Sequence, residues 1–436
     1  MSNMSSMSRE SKKRQLRRQI VPSGPRPGGP AAGEEEDSRE VVQKAHRRAV
    51  RRRLRTAIIL LILAALGAVL IYQFSQYHQY EDFQVVWEKN LTSQDGGGEA
   101  VPQADSGFCG YEPLGGGILR YTRDGMSYLD RRGDVIWNQS YEMKSPIVSV
   151  NGEYAAVADQ QGTALFICSP EGCQGQAAAL LPILRTAVSG QGVTAVMEED
   201  SSASYIFLYR RDGSELKISI KSLLENDGYP VDISLSPSGN QLAASFLYLE
   251  QGMLKCKLVF YNFGVGQSQA DRVVGIIFPE DLKDAMVARV RFLDEDHCAA
   301  FSDQGLFFIS TRVQTEPSPQ EPVLLEEEIR SICYNSQHVG VVTANSEGSD
   351  PYRLLIYDGD GREKLDQTFD FPYTDLSIED DSIFLYNDSG CQVYNMRGTL
   401  KFSGELDMTV SGMMKGTLPG TLLVLGPQSI REIRLN

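Results

Sequence analysis

With 436 residues and 42% hydrophobic side chains the chain is long enough for a sizeable core, and its net charge of −15 argues against a grip on nucleic acid or an anionic polymer. The charge is divided: residues 1–55 hold 15 basic and 6 acidic side chains, residues 56–436 hold 27 and 51, giving +9 and −24. Such a division suits two sides of a membrane better than one folded body.

Residues 1–55 open with SKKRQLRR and continue into VPSGPRPGGPAAGEEED, a composition too polar and too rich in Pro and Gly to bury a core. They are expected to form a disordered cytoplasmic tail whose basic residues meet anionic lipid heads. Ala57–Phe74, AIILLILAALGAVLIYQF, has no charge and no proline. As a helix it would span about 27 Å, close to the roughly 30 Å hydrocarbon core of a bilayer. A single transmembrane helix is predicted over 56–75.

Arg47, Arg48, Arg51, Arg52, Arg53 and Arg55 precede this run, and the next charges after it are Glu81 and Asp82. The positive-inside rule therefore places the N-terminus in the cytoplasm and the bulk of the chain outside the cell membrane. A cleaved signal peptide would need a short basic region before the apolar run and a small-residue cleavage site after it, and the sequence offers neither. Tyr72, Tyr77 and Tyr80 suit the outer headgroup zone, and residues 76–82 read as a juxtamembrane linker.

FQVVWEKNL reads as a strand and SQDGGGEA as a flexible connection. From Gly107 the chain is a series of short β runs separated by Gly, Asp and Asn turns, with internal self-similarity. Apolar second strands are expected at ILRYT (118), YAAVA (154), VTAVM (193), QLAAS (241), CAAFS (298), VGVVT (339), SIFLY (382) and TLLVL (421). Each is followed by an aromatic-rich third strand, a tight turn such as Asp212-Gly213 or Asp360-Gly361, and a fourth strand. Four-stranded units of about 40 to 45 residues are blades of a β-propeller.

The expected fold is therefore all-β, an eight-bladed β-propeller over 83–436, with seven blades as the alternative because the units near 193 and 241 are long. The small and aliphatic residues of the second strands suit the crowded ring near the axis. The last unit has room for only three strands, and Trp87 in FQVVWEKN matches Trp137 in DVIWNQS, a fourth strand. Residues 83–90 are thus expected to complete the last blade and close the ring.

SPSGNQLAAS (236–245) resembles the S-P-D-G-x-x-[IL]-A strand pair of WD40-like, TolB-type repeats, and RRGDVIWN resembles the fourth strand of quinoprotein-like repeats. The arrangement of basic tail, apolar run, FQVVWEKN and GILRYTRDGMSYLDRRGDVIWNQSYEMKSPIVSVNGEYAAVADQQG resembles an uncharacterised family of membrane-anchored propellers from Clostridia and related Gram-positive bacteria. The resemblance implies a propeller at the cell surface and carries no activity with it.

Seven cysteines, Cys109, Cys168, Cys173, Cys256, Cys298, Cys333 and Cys391, form an odd set without paired zinc-ligand spacing. Core thiols are expected, although Cys168 and Cys173 in CSPEGC are placed to close a local loop. His297 and His338 fall at equivalent turn positions before second strands, without an evident acid or nucleophile partner. The clusters Glu198-Glu199-Asp200, Asp294-Glu295-Asp296, Glu326-Glu327-Glu328 and Glu379-Asp380-Asp381 are expected to be solvated turns. Asp358-Gly359-Asp360-Gly361 comes nearest to a calcium loop and reads more simply as a hairpin turn. Tyr205, Phe207 and Tyr209 alternate as inter-blade packing requires.

No catalytic, cofactor-binding or metal-binding residue is singled out, and no cofactor is expected. The sequence supports a non-catalytic binding, scaffold or sensor module at the cell envelope with a protein, peptide or glycan partner on a propeller face. The insertions LYLEQGMLKCK, YNFGVGQSQADR and TRVQTEPSPQEP are the first candidates for contact. The alternative is an envelope hydrolase or lyase that uses carboxylates converging on the axis.

Overall fold

The computed structural model describes residues 57–69, 73, 76–91, 108–265 and 268–436. The chain divides into two units, 1–75 and 76–436. In the first, residues 57–69 are helical, with Leu60, Leu61 and Leu63 more than half exposed. Among the described residues no helix is long and apolar enough to cross a membrane. The expected tail and the rest of the expected span, residue 56, residues 70–72 and residues 74 and 75, lie outside the described residues.

The second unit is a β-propeller of eight antiparallel sheets. Blades 1 to 7 cover 110–140, 146–178, 183–223, 229–277, 287–324, 329–369 and 375–405, and blade 8 covers 412–435. In blade 8 the fourth strand is Phe83–Asn90, which pairs antiparallel with Ser429–Leu435. The eight second strands and the eight third strands stand where the sequence repeats put them.

The packing explains why those second strands are apolar throughout. Eight hydrophobic clusters fill the gaps between consecutive blades, one in each gap. A second strand serves two of them, because successive side chains point to opposite faces. Ala155 and Val157 of Tyr154–Asp159 face blade 1, whereas Ala156 and Ala158 face blade 3. Likewise Leu423 and Leu425 join blade 8 to blade 1, and Leu422 and Val424 join it to blade 7.

First strands of neighbouring blades pack on each other around the ring, so they line the axis, and the second strands lie one place further out. Fourth strands form the rim and alternate in exposure, as Glu215–Leu223 does.

Turns between third and fourth strands repeat one device. In blades 1, 6 and 7 the side chains of Asp130, Asp358 and Asn395 accept backbone N–H groups two and four residues ahead. The glycines at the ends of these turns, Gly133, Gly361 and Gly398, have φ of 75°, 76° and 76°, in the left-handed region that favours glycine. Asp358 is thus spent on its own turn, with Lys364 Nζ also 2.8 Å away.

The closing strand is tied by a buried carboxylate. Glu432 accepts Trp87 Nε1 at 2.6 Å, Thr421 Oγ1 at 2.6 Å and the Thr417 N–H at 2.8 Å. Burial pushes this carboxyl upward, but the hydrogen bonds from Thr421, Thr417 and Trp87 outweigh it and hold the group below its ordinary value. The tryptophan that marks the repeat in the sequence is therefore the donor that locks the seam.

Candidate functional site

Arginines enter the axial wall through a repeated irregularity. In blades 3 to 6 the first strand pairs with the second out of step at one place, which leaves Leu184, Val231, Ala288 and Arg330 as extra residues. Such bulges re-aim the side chains that follow. The residues after them are Arg185, Asp232, Arg289 and Ser331, at equivalent positions in four consecutive blades.

Asp232 is the hub. Its side chain is 2% exposed and accepts the Val290 N–H at 2.9 Å from the inner strand of blade 5. Arg291 Nη1 lies 3.0 Å from it, Arg289 Nη1 3.4 Å and Arg185 Nε 3.8 Å. Arg291 also donates to the Val290 carbonyl at 2.7 Å and sits 5.1 Å above the Tyr334 ring. Arg185 Nε is buried without a hydrogen-bond partner.

Three guanidiniums therefore share one carboxylate. Their side chains remain 32%, 39% and 22% exposed for Arg185, Arg289 and Arg291. All three lie mid-strand on the inner strands, so the open space they border is the axial channel. Burial, then the neighbouring Arg289 and Arg291 charges, hold the Arg185 guanidinium below its ordinary pKa against the pull of Asp232.

The opposite side of the ring is acidic. Glu112 lies on the inner strand of blade 1 and Asp375 on that of blade 7, each three places from blade 4 in a ring of eight. Burial and the Asp375 charge push the Glu112 carboxyl up to about 7, while Arg291 acts in the other direction. Tyr386 donates to Asp375 at 3.3 Å, and burial raises the Tyr386 hydroxyl as well. The channel is thus electrically two-sided, with arginines on blades 3 and 5 facing carboxyls on blades 1 and 7.

A second feature lies on blade 4. Its strands Gln241–Glu250 and Met253–Asn262 are paired over their full lengths, but the flanking strands pair only as far as Leu247 and Leu258. Residues 248–255 form a two-stranded tongue that extends past the blade. It turns at Gln251 and Gly252, with φ of 52° and 81°, values that match a tight two-residue hairpin. Leu249, Met253 and Leu254 are 74%, 57% and 51% exposed on it.

Of the insertions expected to make contacts, LYLEQGMLKCK supplies this tongue. TRVQTEPSPQEP does not form a free loop: Ser318–Pro319 within it pairs with the third strand of blade 5 as outer edge, where a proline is tolerated. Within YNFGVGQSQADR, Gln269–Arg272 is a single helical turn and residues 266 and 267 lie outside the described residues.

The histidines open the second strands His297–Ser302 and His338–Ala344 at equivalent places. His297 does have acid partners, since Nδ1 is 2.9 Å from Asp294 and Nε2 is 3.3 Å from Asp360 of the next blade. It staples blades 5 and 6. Several acidic clusters are likewise not solvated turns, which corrects the expectation. Glu198 is fully buried and accepts the Leu181 N–H at 3.1 Å, Glu295 accepts Ser238 Oγ at 3.0 Å from blade 4, and Glu379 accepts Arg131 and the Lys415 N–H from blades 1 and 8.

Tyr205 and Phe207 stack at 5.7 Å, and Tyr209 is buried against Glu198. All seven cysteines are free thiols, and Cys168 and Cys173 face each other across the blade 2 hairpin without a bond. A hydrogen bond from Cys168 lowers Cys173 to about 7. Sequence reasoning missed Arg185, Asp232, Arg289, Arg291, Glu112 and Asp375, which no motif joins.

Comparison with known proteins places a family model over most of this unit: the model described as "Family of unknown function (DUF5711)" matches residues 76–435. No curated protein matches the chain. Among solved structures it is similar to Sqt1 from Chaetomium thermophilum at 10% identity, covering 80% of this chain and 100% of that one with a TM-score of 0.52. The Dos1 propeller aligns at 11% identity over 81% and 95%, with a TM-score of 0.51. BamB from Moraxella catarrhalis aligns at 11% identity over 81% and 100%, with a TM-score of 0.44. At these identities the likeness is one of fold.

Proposed function

The chain belongs to the DUF5711 family of unknown function, and from that premise we propose that it is a membrane-anchored propeller that binds a protein partner outside the cytoplasmic membrane. The tongue of blade 4 carries this reading. A two-stranded ribbon is marginal by itself in water, and one that exposes the cross-strand pair Leu249 and Leu254 on one face, with Met253 beside the turn on the other, suits contact with an apolar surface. The uncharged run 57–74, helical over 57–69, and the six arginines before it support the anchor and its orientation.

Crosslinking the full chain in intact cells, followed by purification, tests the proposal. A discrete crosslinked product is expected from the native chain and is expected to vanish when Leu249, Met253 and Leu254 are all changed to Ser. In the Ser variant the tongue is expected to be cut by a membrane-impermeant protease added to intact cells, and in the native chain to be cut more slowly because the partner covers it. Resistance of the variant's tongue, or identical crosslinked products from the two chains, would refute the reading.

One observation favours the second reading, an envelope hydrolase: Glu112 and Asp375 are two acids on the axis, and Glu112 is raised to about 7, a value suited to a general acid. Hydrolysis of a glycan or peptide that Glu112→Gln abolishes would move the assignment to this class.

A further inference from the structure

The two charged walls of the channel ask for a ligand independently of the tongue. On the basic side, three guanidiniums and one carboxylate leave two positive charges uncompensated among inner strands. Charges held in a partly dry site without counter-charge are costly, and no other acidic side chain forms an ion pair with Arg185, Arg289 or Arg291 among the described residues.

The donors are also unequally used. Arg291 is committed, through Asp232, two backbone carbonyls and the Tyr334 ring. Arg289 makes a single bond of 3.4 Å, and Arg185 donates from Nη1 to the Leu184 carbonyl at 3.1 Å while its buried Nε has no hydrogen-bond partner. These two flank Asp232 from blades 3 and 5, and each follows a bulge that turns it to the same belt. Planar forks of this kind match oxyanions, phosphate and carboxylate alike.

We propose that Arg185 and Arg289, braced by the Asp232–Arg291 pair, form a site for a doubly charged oxyanion of the phosphate class in the axial channel. Two free charges select a dianion over a single carboxylate. The acidic wall at Glu112 and Asp375 confines the anion to the blade 3 to 5 side. A ligand with a cationic group at its other end would meet both walls.

The test uses the full chain in detergent micelles in Tris chloride, titrated calorimetrically with inorganic phosphate and, separately, with acetate at constant ionic strength. Phosphate is expected to saturate one site and to bind more tightly than acetate. Arg185→Gln and Arg289→Gln are each expected to weaken phosphate about ten- to a hundredfold, the loss of one charge-assisted hydrogen bond. The surface change Arg312→Gln is expected to leave it unaltered.

Arg289→Gln keeps Asp232 paired to Arg291 and the Val290 N–H, so the wall is retained. Without phosphate and at low salt, both variants are expected to melt at or above the native Tm, because a repulsion has been removed; a merely structural arginine would lower it. Absence of saturable phosphate binding, equal affinity for acetate, or unchanged binding in the variants would each overturn the proposal. Each result is independent of the crosslinking of the tongue.

Discussion

Glu112 shows what the ring does to a single residue. In an unfolded chain its carboxyl titrates near 4.5, and in the channel near 7, because burial and Asp375 disfavour the charge. Between those two pH values the folded chain holds more protons than the unfolded one, so stability falls as pH rises through the window from about 4.5 to about 7. Above it the full penalty applies. Glu112→Gln is therefore expected to raise stability at pH 8 by on the order of 3 kcal/mol and to change nothing at pH 4, as read by denaturant melts at the two values. A gain of equal size at both would show that the effect is not titration.

At the scale of one strand, Phe83–Asn90 does what a covalent bond does elsewhere: it joins the two ends of a ring. Five of its eight residues are exposed and none is fully buried, so burial alone does not fix it. Pairing with Ser429–Leu435 and the bond from Trp87 to Glu432 do. Trp87→Phe keeps most of the ring's bulk and leaves Glu432 short of one donor, which should cost about 1 to 3 kcal/mol in denaturant melts. Glu432→Leu strands Trp87 Nε1 and the Thr417 N–H together, while Thr421 keeps the Leu418 carbonyl, and should cost more. If the order of the two is reversed, the seam is held by packing and not by the carboxylate.

Across the whole molecule the eight inter-blade clusters make the blades mutually dependent, since every sheet buries both faces against neighbours. Deleting residues 83–90 opens one edge, and calorimetry should then show a lower Tm and a broadened transition in place of a single cooperative one. An unchanged transition would mean that the last blade holds with three strands.

The number of blades, the order of strands within them and the closing strand were legible in the sequence, because a strand buried on both faces must be apolar at every position and repeats at blade spacing. The Trp87 and Trp137 echo carried the closure for the same reason: equivalent places in equivalent blades need equivalent side chains. The candidate site was not legible. Arg185, Asp232, Arg289 and Arg291 are spread over more than a hundred residues, and what sets the first three at equivalent positions is a one-residue bulge in each of their inner strands, which pattern reading cannot see because it shifts pairing without changing composition. The acidic clusters misled for a related reason, since a turn of one blade is solvated or buried according to the neighbour it meets. Local periodicity is written along the chain, whereas the charge of the channel depends on which blades the closed ring sets side by side and which it sets opposite.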